Sequence, residues 1–360
     1  MIAAGAPIQR ARDAKLLVVD KNARIIHAPR SSFADFLGRF DVVVANDAAT
    51  LPGSLAGFHE PTGEAIEARL AGGGSLDGDD ISHFVAIVLG AGDFRTRTEN
   101  RPLPPPLRSG DRLALGPLRA VVERTLDHPR LVALRFEGST ASIWEGISRH
   151  GRPIQYAHVH TPLVLWDVWT PIAGARFAFE PPSAGFILDW KTVASIRDHG
   201  AEFATITHAA GISSTGDEAL DRRLPFDEPY RVSAATARAL RRAKNNGGRI
   251  VAIGTTVVRA LEHSALIDGT VRAGAGIATQ RIGAATPLRV VDAIVSGTHE
   301  PGTSHYELLR AFVDDATLRR AADELDARDY QTHEFGDSIY VERRLRGAAR
   351  KKPVERLLAA

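Results

Sequence analysis

The residues with the most chemical promise are threonines, histidines and carboxylates placed just past apolar runs. In residues 249–262 (RIVAIGTTVVRALE), 250–253 read as a short buried strand. Gly254 ends it, and Thr255 and Thr256 precede a helical spacing marked by Val258 and Leu261. Strand, small polar turn and helix is the arrangement by which open α/β sheets offer N–H groups and hydroxyls to a ligand. Arg259 follows in that helix, where it can grip a carboxylate or phosphate bidentately or pair with Glu262 three residues on. Asn46 and Asp47 come directly after the β-branched run 41–45 (DVVVA), and His208 closes the run 203–207 (FATIT). His299 stands in the small-residue loop 296–304 (SGTHEPGTS). A histidine so placed can move a proton near neutral pH. Glu228 and Asp337 are carboxylates suited to a cation or an amine. Each also has a plainer role: Asn and Asp form turns, Thr caps helices, and histidines serve as structural hydrogen-bonders.

The elements needed to position these groups follow from periodicity. Residues 233–244 (SAATARALRRAK) predict a helix with Ser233 as N-cap, closed by Asn245-Asn246-Gly247-Gly248. Strands are expected at 15–20, 25–28, 41–45, 177–180, 203–207, 250–253, 288–295 and 338–341. Helices are expected at 33–37, 190–199, 306–313 and 317–327. Between Pro52 and His150 the texture changes to short β-like runs with frequent turns (AIEARL, HFVAIVLG, DRLALG, LRAVVER, RLVALRFEG), which predicts a small barrel or sandwich. The glycine-rich AGGGSLDGDD lacks a P-loop lysine and reads as a plain loop. His158 and His160 alternate with period two and would share one strand face. With no third ligand nearby, no metal is expected.

Composition narrows the function classes. The 360 residues are 44% hydrophobic and 24% charged, ordinary for a globular protein. No apolar run approaches the ~20 residues of a membrane span, and the first residues lack the apolar core of a signal peptide. Cysteine is absent, which excludes disulfides, thiolate nucleophiles and Cys-bound metals. The net charge of +2 does not by itself argue for nucleic acid.

Several segments, in order, resemble the S-adenosylmethionine:tRNA ribosyltransferase-isomerase family of queuosine biosynthesis. They are RDAKLLVVD, DVVVANDAATLPGSLAG, PPSAG at 181–185, THAAG at 207–211, RIVAIGTTVVRALE, SGTHEPGTS and YQTHEFGDSIYV at 330–341. The resemblance covers nearly the whole chain. It implies a mixed α/β main domain (1–58 and 152–345) interrupted by a small all-β barrel-like domain (59–151), with 346–360 as a basic tail. It implies an enzyme that moves the ribosyl part of S-adenosylmethionine onto a 7-aminomethyl-7-deazaguanine at the tRNA wobble position. Adenine and methionine leave as an epoxycyclopentanediol forms. The sulfonium acidifies the 5′ C–H, so a positioned base can begin the reaction. Carried over residue by residue, His299, His208, Glu228 and Asp337 are the catalytic candidates. Asn46, Asp47, Ser183, Gly185, Gly254, Thr255, Thr256 and Arg259 are the cofactor-binding ones. S-adenosylmethionine is the ribosyl donor, the tRNA anticodon loop is the partner, and a cytoplasmic monomer is favoured.

The chain departs from the family's pattern at two histidine positions, occupied here by Ile187 and Phe226, neither of which can carry a proton. The segment 165–169 (LWDVW) replaces a tyrosine-rich one. These departures keep open a paralogue with a different acceptor, or a non-catalytic tRNA- or nucleoside-binding protein.

Overall fold

The computed structural model describes residues 2–6, 14–78 and 81–344. The basic tail and the first residues of RDAKLLVVD lie outside them. The main body is a nine-stranded mixed sheet. Its order is Gly274–Ala278, Glu228–Val232, Glu202–His208, Val42–Asn46, Ile250–Ile253, Ala293–Gly297, Ser338–Glu342, Lys15–Val19 and Ile25–Pro29. The four central strands, from Glu202–His208 to Ala293–Gly297, run parallel. Burial on both faces explains why 42–45 and 250–253 are apolar throughout. Val42, Val44, Ile250 and Ala252 pack into one core, while Val43, Ala45, Val251 and Ile253 pack into the core on the opposite face.

Helices close both faces. Ala234–Asn245, Thr255–Ser264 and Asp315–Ala327 cover one side, and Trp190–Asp198 covers the other. The caps follow the sequence. Ser233 accepts from the Thr236 N–H, Asp189 from Thr192 and Asp314 from Thr317. The segment near Phe33 is a 3₁₀ helix, Arg30–Phe36, entered from Pro29 without a side-chain cap.

The inserted unit is a closed, all-antiparallel barrel of six strands: Ser54–His59, Glu64–Gly73, His83–Leu89, Arg112–Leu115, Leu118–Thr125 and Leu131–Phe136. It begins at Ser54, earlier than 59. The first strand (SLAGFH) escapes a propensity reading because of Gly57, which the structure requires. A Cβ there would meet the Ala114 carbonyl oxygen at 2.0 Å. Ser54 and Arg152 exchange backbone hydrogen bonds of 2.9 Å, so the chain enters and leaves the barrel at one point.

Three further elements differ from expectation. Glu228–Val232 and Gly274–Ala278 are strands that extend the sheet's edge. Thr140–His150 is a helix capped by Ser139. His158 and His160 lie on an irregular segment instead of a strand; His160 is exposed and His158 is half-buried.

Candidate functional site

A cavity of about 730 Å³ opens at the carboxyl ends of the central parallel strands. Gly254 continues from Ile250–Ile253, Ser296 and Gly297 end Ala293–Gly297, and Ala210–Ser213 follow Glu202–His208; all of these line it. The chain order reverses across Val42–Asn46, which has Glu202–His208 on one side and Ile250–Ile253 on the other. Such a switch point leaves a crevice because successive connections diverge to opposite faces.

Gly254 sits at φ +97°, ψ 153°, a conformation open to glycine and strained for other residues. This sharp entry starts the helix Thr255–Ser264 with no side-chain cap. The first N–H groups of a helix have no intrahelical partners, and Thr255 and Thr256 line the cavity beside them. The corner thus offers N–H donors, two hydroxyls and the positive end of a helix dipole, a combination that suits a carboxylate. Ser183 lines the same wall from the 3₁₀ helix Ser183–Ile187.

Glu228 and Arg259 also line the cavity, bound to each other. The Arg259 guanidinium donates to Glu228 Oε2, to the carbonyls of Phe226 (3.1 Å) and Ala278 (2.9 Å), and from Nε to Gln280 (3.3 Å). Glu228 Oε1 accepts the Gly211 N–H at 2.6 Å. Burial pushes the Glu228 carboxyl up, and Arg259 with the Gly211 N–H opposes it. Arg259 does not pair with Glu262. That carboxylate instead receives the N–H groups of Arg289, Val290 and Val291 at 2.7–3.0 Å.

Glu180, which sequence reasoning passed over, is a second perturbed carboxyl on the cavity wall. Burial, followed by the charge of Glu334, raises its pKa to about 7. The hydrogen bonding agrees. Tyr156 Oη contacts both Glu180 Oε1 and the Ser214 carbonyl, the latter at 2.8 Å, while Glu180 Oε2 accepts the Ser213 N–H at 2.9 Å. A phenol has one proton, so both Tyr156 contacts are satisfied at once only when Glu180 is protonated and donates to Oη. The available signal was its place, directly before PPSAG and at the end of an apolar run.

His299 lines the cavity, with His305 stacked on it at 4.1 Å between ring centroids. Burial, then the neighbouring His305 and His333, hold His299 well below the ordinary histidine range, so it is neutral at pH 7. Gly297 gives it room, since a Cβ there would lie 3.2 Å from His299 Nε2.

Other candidates sit behind the wall. His208 is fully buried, 3.4 Å from Glu228 Oε2, with neither ring nitrogen in hydrogen-bond geometry. Burial and then Arg259 lower its pKa to about 3. Asn46 bridges strand ends, donating to the His208 carbonyl and accepting the His208 N–H, both at 2.9 Å. Asp47 accepts from the Thr207 hydroxyl at 2.7 Å. Asp337 accepts the N–H groups of Lys15 (2.7 Å) and Gln331 (2.9 Å), tying three chain segments together. Gly185 packs against the Thr170 methyl, where a Cβ would come within 2.9 Å. None of these five lines the cavity; polar residues that end buried strands here serve to tie the loops. Ile187 belongs to the core under the sheet, and Phe226 packs toward the barrel, next to the cavity-lining Leu224 and Pro225.

Residues 1–341 match the model of a family described as queuosine biosynthesis protein. The S-adenosylmethionine:tRNA ribosyltransferase-isomerase of Chlorobium luteolum is 28% identical, over 93% of this chain and 94% of its own. That of Rhizobium rhizogenes is 27% identical, over 94% and 95%. A solved S-adenosylmethionine tRNA ribosyltransferase from Thermotoga maritima aligns with 94% of this chain and 96% of its own, at 22% identity and a TM-score of 0.49.

Proposed function

The chain belongs to the queuosine biosynthesis protein family, and from that premise we propose that it is an S-adenosylmethionine-dependent tRNA ribosyltransferase-isomerase. It transfers and isomerises the ribosyl moiety of S-adenosylmethionine to the aminomethyl-deazaguanine of the wobble position. Epoxyqueuosine-tRNA forms, and adenine and methionine are released. The observation that carries the reading is the meeting of a carboxylate-binding helix start, a neutral histidine and a carboxyl titrating near pH 7 in one cavity.

In this reading the methionyl carboxylate lies against the N–H groups and hydroxyls of Thr255 and Thr256. The sulfonium approaches Glu180 and favours its ionised form, so cofactor binding displaces the proton that Glu180 shares with Tyr156. The carboxylate then removes the acidified 5′ proton. His299, neutral and set against Gly297, exchanges protons with the departing adenine or the attacking amine. Glu228 and Arg259 hold the floor, and His208, Asn46, Asp47 and Asp337 are positioning residues. Arg222 and Arg281, exposed at the cavity mouth, meet phosphates of the anticodon loop. Among the described residues no helix is long and apolar enough to cross a membrane.

Phe226, beside the cavity at a position where the resemblance to the family's pattern implies histidine, favours one second reading: the same cofactor chemistry on a different amine. Incubation with S-adenosylmethionine and tRNA bearing the aminomethyl base, followed by mass analysis of the tRNA, separates the two. The first reading predicts addition of the cyclised ring. Adenine release with unmodified tRNA, in the presence of another amine only, would replace it by the second.

A further inference from the structure

Beside the cavity, two segments that are distant in sequence bring His158 together with the adjacent His333 and Glu334. One imidazole nitrogen from each histidine and one Glu334 carboxylate oxygen all lie within 4.8 Å of one another. His158 Nε2 is 3.3 Å from Glu334 Oε2, and the His158 and His333 rings stack at 4.6 Å between centroids. We propose that these residues form a binding site for a divalent first-row transition-metal ion, Zn²⁺ being the type case.

Several observations carry this. Two imidazoles and one carboxylate are the donor set of open, three-ligand zinc sites. Bonds of about 2.0–2.1 Å in tetrahedral geometry separate donors by about 3.3 Å. The His158–Glu334 pair therefore already has the spacing, and the His333 donor lies within 4.8 Å of both. His158 Nε2 is buried without a hydrogen-bond partner, its approach to Glu334 lacking the alignment of a hydrogen bond. A metal would satisfy that atom. His333 occupies φ +69°, a left-handed conformation uncommon for residues other than glycine, asparagine and aspartate. Local strain is thus accepted to present this imidazole. A fourth position remains for water or a donor from the cavity, since His333 lies 6.3 Å from the His299 ring. The pairing of His158 with His160 suggested by sequence alternation is replaced by partners some 175 residues away. The proposal stands independently of the ribosyl-transfer reading, because its test needs no substrate.

The full chain, stripped with a chelator and dialysed, would be titrated with Co²⁺ under visible absorption and with Zn²⁺ by calorimetry. One ion per chain with tetrahedral Co²⁺ bands is expected. Glu334→Gln and His333→Gln should each weaken Zn²⁺ binding by more than about a hundredfold, beyond the ~10–100-fold that the loss of an outer-shell partner usually brings. His160→Gln, close in sequence but exposed, should leave it unchanged. Circular dichroism and the thermal midpoint establish that each variant is folded. Absence of stoichiometric binding to the wild type, or equal affinity in Glu334→Gln, His333→Gln and His160→Gln, would overturn the site and leave an ordinary ion pair.

Discussion

Replacing Glu180 by glutamine should remove one proton from the pH dependence of stability. The folded protein holds the Glu180 carboxyl at about 7 against an ordinary 4.5. A difference of about 2.5 units at 1.36 kcal/mol per unit is about 3 kcal/mol. Its direction follows from which state binds the proton more tightly. The folded state does, so stability is highest below pH 4.5, falls as pH rises toward 7, and is level above. The glutamine variant carries no such proton and lacks that decline. Its amide keeps the pattern of the protonated carboxyl, the NH₂ donating to Tyr156 Oη and the carbonyl accepting the Ser213 N–H. Any residual difference in fit moves its stability curve vertically and leaves the slope alone. Urea unfolding of both proteins at half-unit steps from pH 4 to 8 isolates the effect. The wild-type minus variant difference should shift by about 3 kcal/mol in favour of the variant across that range. A difference constant to within about 1 kcal/mol would refute the raised carboxyl, and with it the case for Glu180 as base.

Other outcomes follow from the same contacts. Calorimetry of S-adenosylmethionine binding near pH 6.5, in buffers of different ionisation enthalpy, should show release of up to one proton by the wild type and none by Glu180→Gln. His299→Ala should lower turnover at least about tenfold without changing the unfolding midpoint, a floor set below the ~10²–10⁴-fold typical of general acid–base groups; wild-type rates would remove it from the chemistry. Arg259→Met strands the buried Glu228 carboxylate and should destabilise the fold by about 3–5 kcal/mol in urea unfolding. His208, held neutral by burial with its pKa near 3 against an ordinary 6.5, contributes stability that is full above pH 6.5 and lost as pH falls toward 3. The ceiling of that contribution is about 5 kcal/mol, and His208→Leu should flatten the acid limb of the stability curve.

What could be read from the sequence was what is decided locally. The runs at 42–45 and 250–253 are buried on both faces, so every residue is apolar, and Ser233 and Asp189 announce helix starts by side-chain chemistry. The turn Gly254-Thr255-Thr256 was legible because its glycine and its hydroxyls do their work within three residues. Glu228–Val232 reads poorly because Pro229 and Arg231 interrupt it, and Gly274–Ala278 because two glycines suggest a turn. Their pairing with each other and with Glu202–His208 makes them strands. Asn46, Asp47 and Asp337 look ligand-facing from their position after strands or turns, yet their oxygens are taken by backbone and side-chain donors of distant segments. Glu180 gains its high pKa from burial and then from the charge of Glu334, neither of which its neighbours in sequence reveal.

The most direct test of ribosyl transfer is a rapid-quench single turnover with enzyme in excess over tRNA carrying the aminomethyl-deazaguanine. Adenine and modified tRNA would be quantified in the same samples. The account predicts that the two appear in equal amounts in the wild type and that both fall together in Glu180→Gln. Intact S-adenosylmethionine and unmodified tRNA, with cofactor binding independently demonstrated, would contradict it.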